Sequence, residues 1–183
     1  MSKKFLFIVL GLLVVYFIGD GIYTKMTSKA KLSVLPCHKE VVVFEKIYES
    51  ELFQNALKAI QAGAFQSSIS AEKATYSPST LFTYVNLEET KSRVNDALEG
   101  YVKEKKSVTP NKVDMAILVY ENDMKHPGKK TKESKLYRGY LVLNVMMEDA
   151  LAYKVQIDFM DFEAKDLPQR IECAVETLMR HRK

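Results

Sequence analysis

The chain holds no tryptophan, two cysteines, three histidines, five prolines and seven glycines in 183 residues. These shortages exclude whole classes of function. There is no Cys-x-x-Cys, no glycine-rich phosphate loop and no Gly-x-Ser-x-Gly elbow. With histidine only at 38, 126 and 181, a histidine-dependent active site has few places to form. No internal repeat or low-complexity tract is present. A basic surplus is also missing from most of the chain. Residues 1–30 carry four lysines and one acid, whereas residues 31–183 carry 23 basic and 22 acidic side chains. The high pI therefore belongs to the first thirty residues and argues for no nucleic-acid partner. Neither a cofactor nor an enzymatic activity is expected.

What is present begins with an apolar run. Phe5 to Gly19 contains no charged side chain over fifteen residues. That reaches the top of the range for a signal-peptide core, roughly 7–15 residues, and falls short of the ~20 that cross a bilayer comfortably. Lys3 and Lys4 can snorkel at one end, and Ile22 and Tyr23 extend the other, which makes the segment long enough to span. The expectation is an uncleaved signal anchor over 1–24, a polar stalk over 25–36 and an extracytoplasmic domain over 37–183. This places a single-pass protein in the inner (cytoplasmic) membrane with its C-terminal domain outside the cytoplasm. The alternative is cleavage, leaving a secreted or periplasmic domain, although Gly19-Asp20-Gly21 and Ser28-Lys29-Ala30 fit a cleavage site only loosely. Pro36 before Cys37, far beyond the apolar run, rules out a lipobox.

The remaining residues, 47% hydrophobic and 27% charged over the whole chain, have a globular composition. Glu40–Lys46 is β-branched and reads as a strand. Ser50 then caps a helix whose Leu52, Phe53, Ala56, Leu57 and Ile60 share a face, stopped by Gly63. The polar stretch from Ala64 to Thr80 reads as a loop or an edge strand, and Thr80–Leu87 as a strand. Asn86 and Glu89 open a second helix with Val94, Ala97, Leu98, Tyr101 and Val102 on one stripe, and Lys103, Lys105 and Lys106 close it. Val113–Glu121, Leu136–Met147 and Leu151–Met160 follow as strands. In the last, Leu151, Tyr153, Val155, Ile157 and Phe159 alternate with Lys154, Gln156 and Asp158. Asp166, with Gln169 completing a capping box and Pro168 in the first turn, starts a final helix buried through Leu167, Ile171, Ala174, Val175 and Leu178. The expected class is α+β, in the order β-α-β-α-β-β-β-α, with helices on one face of a mainly antiparallel sheet.

Cys173 lies about 200° around that helix from Ile171, opposite the apolar stripe and among Arg170, Glu176 and Arg180. Cys37 sits where the stalk meets the domain. Two cysteines outside the cytoplasm, neither placed as core, point to a Cys37–Cys173 disulfide. By the chain-entropy model it contributes on the order of 5 kcal/mol. The rival is a metal site, in which only Cys37, His38 and one helical ligand could converge. Cys173 and His181 stand about 12 Å apart along a helix and cannot share one ion.

Further candidates are weaker. Lys125, Lys129, Lys130, Lys132, Lys135 and Arg138 form the densest basic cluster, either a contact for anionic headgroups or an acidic partner, or a solvated hairpin tip. Ser70-Ala71-Glu72-Lys73 matches Ser-x-x-Lys without its companion motifs. Asp158, Asp161, Glu163 and Asp166 lack the glycine that a calcium loop turns on, so Asp158 reads as the wet face and Asp166 as a cap. The functional expectation is a membrane-anchored, non-catalytic domain making protein–protein contacts at the envelope, its partners being the membrane and other envelope proteins. The alternative is a binding module for a lipid or small apolar ligand, lined by Tyr137, Leu141, Leu143, Val145, Tyr153, Val155, Ile157 and Phe159. No oligomeric state follows from the sequence.

Overall fold

The computed structural model describes residues 34–103, 112–132 and 136–182. The apolar run at 5–19, Lys105, Lys106 and Lys135 lie outside them. Among the described residues no helix is long and apolar enough to cross a membrane. Strands β1 (Val43–Ile47), β2 (Phe65–Glu72), β3 (Val113–Glu121), β4 (Gly139–Met147) and β5 (Ala150–Phe159) form one mixed sheet in the order β1-β5-β4-β3-β2. Helices α1 (Ser50–Gln61), α2 (Leu81–Tyr84), α3 (Leu87–Glu99) and α4 (Leu167–Met179) complete the α+β fold. Three of the pairings are antiparallel, while β2 and β3 run parallel, with α3 in the crossover between them.

Period-two alternation decides the core. Val113, Met115, Ile117 and Val119 of β3, Leu141, Leu143 and Val145 of β4, and Tyr153, Val155, Ile157 and Phe159 of β5 are fully buried beneath α1 and α4. Leu151 departs from the expected face. A register shift between Val145 and Met146 pairs it with Met146 and leaves it half-buried. The β4–β5 turn is made by Glu148 and Asp149, both with positive φ (53° and 61°).

Helix α1 begins with Glu49 as its N-cap in place of Ser50, the Glu49 carboxylate accepting from the Glu51 amide. It ends as Gly63 (φ 73°) turns its N–H to the Ile60 carbonyl while Ala64 donates to Ala59, the paired closure that a left-handed residue permits. The Asn86 cap of α3 forms as expected, accepting from the Glu89 amide at 3.1 Å.

Three further expectations are corrected. Thr80–Leu87 is not a strand. Leu81 and Val85 are its buried residues, four apart, and the Val85 amide donates to the Leu81 carbonyl at 2.8 Å, which makes one helical turn. The second strand of the expected order is instead the polar segment β2. The first strand begins at Val43 because Pro36–Lys39 wind into a 3-10 turn that Glu40 closes onto Cys37. At α4, Asp166 makes no side-chain cap. Its carboxylate holds the preceding turn by accepting from the Met160 and Asp161 amides and from Arg170.

Gly139 is demanded by close approach. A Cβ there would lie 2.2 Å from the Tyr120 carbonyl oxygen and 2.4 Å from the Phe159 ring. Gly139→Ala is expected to lower stability by about 2–3 kcal/mol, the cost of forcing volume into a packed site, read as a fall in the urea midpoint. An unchanged midpoint would show that β3 and β5 yield freely there.

Candidate functional site

Helix α4 is buried on more sides than the sheet covers, with Arg170, Cys173 and Thr177 buried alongside its apolar stripe. Cys173, expected to face outward, is only 2% exposed. The segment from Pro36 to Val41 covers that side of the helix. Cys37 and Cys173 are joined as a disulfide across 136 residues, with Cα atoms 6.1 Å apart. Next to it, Thr177 Oγ1 donates to the Cys173 carbonyl (2.6 Å), so His38 Nε2 carries the proton it shares with Thr177 Oγ1 at 2.7 Å. Burial, then the Arg180 charge, lower the pKa of His38. Arg170 reaches Glu40 (3.4 Å) and Asp166 (3.2 Å). Cys37, His38 and Cys173 do converge, their ligand atoms lying within 4.8 Å of one another, but the disulfide occupies both sulfurs. A zinc site needs them as free thiolates.

The same seam continues into an ionic cluster that sequence reasoning missed. Glu45 of β1 points toward the helices. It accepts from the Tyr153 hydroxyl (2.8 Å) and pairs with His181 Nε2 (3.0 Å) and with Arg180. The Phe53 ring stacks on Tyr153 with centroids 4.6 Å apart and meets His181 edge-on. Burial opposes ionisation of Glu45, yet the hydrogen bonds from His181 and Tyr153 and the charge of Arg180 outweigh it and hold its pKa at about 2. Burial, then the Glu45 charge, push the Tyr153 hydroxyl well above its ordinary value. The signal lay in the alternation. Val43 and Glu45 share a face, so a carboxylate was bound to enter the core side.

A second cluster, likewise missed, lies at the C-terminal end of β3. Glu121, 1% exposed, accepts from the Ala74 and Thr80 amides, the Ser79 hydroxyl and Arg138 (2.8 Å). Asp123 accepts from the Thr75 and Tyr76 amides, the Ser77 hydroxyl and the Lys125 amide. Burial raises the pKa of both carboxyls, and these donors more than reverse it, leaving both lowered. Together they pin the 74–80 loop. Buried carboxylates with such a full set of donors serve structure.

The six basic residues therefore part company. Arg138 binds Glu121 and Thr80 and lies over the Phe162 ring. Lys129 is half-buried over the Tyr137 ring, and its pKa is lowered by burial. Lys125, Lys130 and Lys132 remain exposed. His126 accepts the Gly128 amide within its own loop. Beside this loop the sheet turns its other face outward. One row across four strands reads Glu72, Tyr120, Tyr140 and Asp158. The Tyr120 and Tyr140 rings stack at 4.3 Å, with Tyr137 nearby. Burial, then the neighbouring Tyr120, push the Tyr140 hydroxyl to about 12. Asp158, expected to be wet, is 8% exposed, and burial raises its pKa. The next row carries Leu118, Val142, Gln156 and exposed Phe44. Of the proposed apolar lining, the β4 and β5 residues are packed core, while Tyr137 lies by this open face.

No known family and no curated protein matches the chain. Among solved structures, a PelC dodecamer from Paraburkholderia phytofirmans aligns over 78% of this chain and 99% of its own, at 7% identity and a TM-score of 0.35.

Two outcomes follow from the seam. Because Glu45 is held at about 2 against an ordinary 4.5, its contribution is complete above pH 4.5 and is lost as pH falls toward 2. Glu45→Gln should flatten that part of the stability–pH curve, and an unaltered slope would detach Glu45 from the acid response. Cys37→Ala with Cys173→Ala should cost up to about 5 kcal/mol, the loop-entropy value for so long a closure, measured by urea unfolding without reductant.

Proposed function

We propose that the protein is a non-catalytic contact domain, held at the cytoplasmic membrane by its N-terminal apolar segment and working outside the cytoplasm. There it engages another envelope protein through the open sheet face and the neighbouring lysines. The observation that carries this reading is the row Glu72–Tyr120–Tyr140, whose neighbour Tyr137 lies under Lys129 of the loop that also carries exposed Lys125, Lys130 and Lys132. Aromatic rings with polar tips next to cations form the kind of surface on which contact energy concentrates. The carboxylates of Glu45 and Glu121, both with lowered pKa, support the reading from the other side, since their oxygens are taken up by the protein's own donors. The disulfide is compatible with oxidising surroundings.

A photo-crosslinking side chain at Tyr140, introduced in the full chain in intact cells, is expected to capture one protein of reproducible mass. The same group at Glu88, an exposed position on α3, should not. Equal labelling at both positions, or none at Tyr140, would refute the contact face. A C-terminal tag labelled only from the cytosolic side would refute the topology.

A further inference from the structure

The sheet has two edges, and they are built differently. β1 is five residues long, aims Glu45 into the core side and carries Lys46 on the other. Shortness and charge are the usual protections against strand addition. β2 has neither. It runs eight residues, Phe-Gln-Ser-Ser-Ile-Ser-Ala-Glu, with no proline, glycine or cation, and pairs with β3 at every position without a bulge. Among the described residues no strand lies beyond it.

The direction of its free groups is fixed. The Val113 amide donates to the Ala64 carbonyl at 3.0 Å, opposite Phe65. In a parallel ladder this sends the N–H and C=O of Gln66, Ser68 and Ser70 toward β3, and those of Phe65, Ser67, Ile69 and Ala71 outward. The same four residues form the helix-facing set of the strand, since they register with Val113, Met115, Ile117 and Val119.

We infer that β2 is a self-pairing edge, joining two copies of this chain antiparallel about a two-fold axis at Ile69 into one ten-stranded sheet. A two-fold interface must satisfy both the outward groups and the face alternation. Centring on Ile69 does both. Ile69 exchanges hydrogen bonds with Ile69 of the second copy, and Ser67 with its Ala71. On the open face, Gln66 meets Glu72 of the second copy and Ser68 meets its Ser70, each pair occurring twice. An amide opposite a carboxylate and hydroxyl opposite hydroxyl are matched partners, and no like charges oppose. Gln66 already gives one amide hydrogen to Asp114, which leaves the second for Glu72 across the axis.

The test uses the full chain in detergent, with mass measured by light scattering after gel filtration over a wide range of concentrations. The unaltered protein should dimerise with rising concentration. Ser67→Pro removes one outward N–H and leaves the β2–β3 ladder intact, as edge strands tolerate. It should weaken association at least about tenfold with an unchanged melting profile. Gln66→Lys, facing Glu72 across the axis, should tighten the dimer and Gln66→Glu should loosen it, which decides the matter even where the proline variant fails to fold. A monomer at every concentration, or a dimer indifferent to Ser67→Pro, or Gln66 variants that do not move in opposite directions, would each overturn the inference.

Discussion

The structure depends on a helix that the sheet alone does not cover. One face of α4 packs on β4 and β5, but Arg170, Cys173 and Thr177 are buried on another side where no sheet reaches. The start of the described chain covers them, and four kinds of bond hold it there. The disulfide, the His38–Thr177 hydrogen bond, the Arg170–Glu40 pair and the Glu45 cluster all join residues 37–45 to residues 170–181. The charges of the Glu45 cluster are partly shielded from solvent, which makes removal of one partner there more costly than at an exposed surface pair.

This arrangement also explains why β1 can be so short. A five-residue edge strand contributes few ladder hydrogen bonds, yet it is held from its inner side by Glu45 and from its N-terminal end by the disulfide. At the far side of the sheet the 74–80 loop is anchored comparably. Glu121 and Asp123 supply oxygens that stand in for the strand pairing this polar segment lacks.

Much of the fold was legible where one rule dominates. The alternation of β5 from Tyr153 to Phe159, the Asn86 cap and the Gly63 stop all survive because each reports a local requirement that tertiary packing reinforces. Thr80–Leu87 failed because aromatic and β-branched residues favour strands on average, whereas here only Leu81 and Val85 meet the core and their spacing selects a turn of helix. β2 was hard to read because its serines face both ways, so hydrophobic contrast along it is weak. Cys173 was placed correctly around the helix but misjudged in burial, since the covering segment comes from a distant part of the chain. Glu45 and Glu121 carried a readable signal, a carboxylate in phase with buried neighbours. Their partners, scattered from Ala74 to His181, did not.

The seam has a temporal side. A ribosome delivers Cys37 and β1 long before β5 and α4 exist, since 136 positions separate the two sulfurs. Until α4 and the residues just after it emerge, the first thiol has no mate and Glu45 no counter-ion. Maturation is therefore gated by a helix made late, and a chain interrupted before Cys173 would carry an unpaired, oxidisable sulfur far upstream of the break.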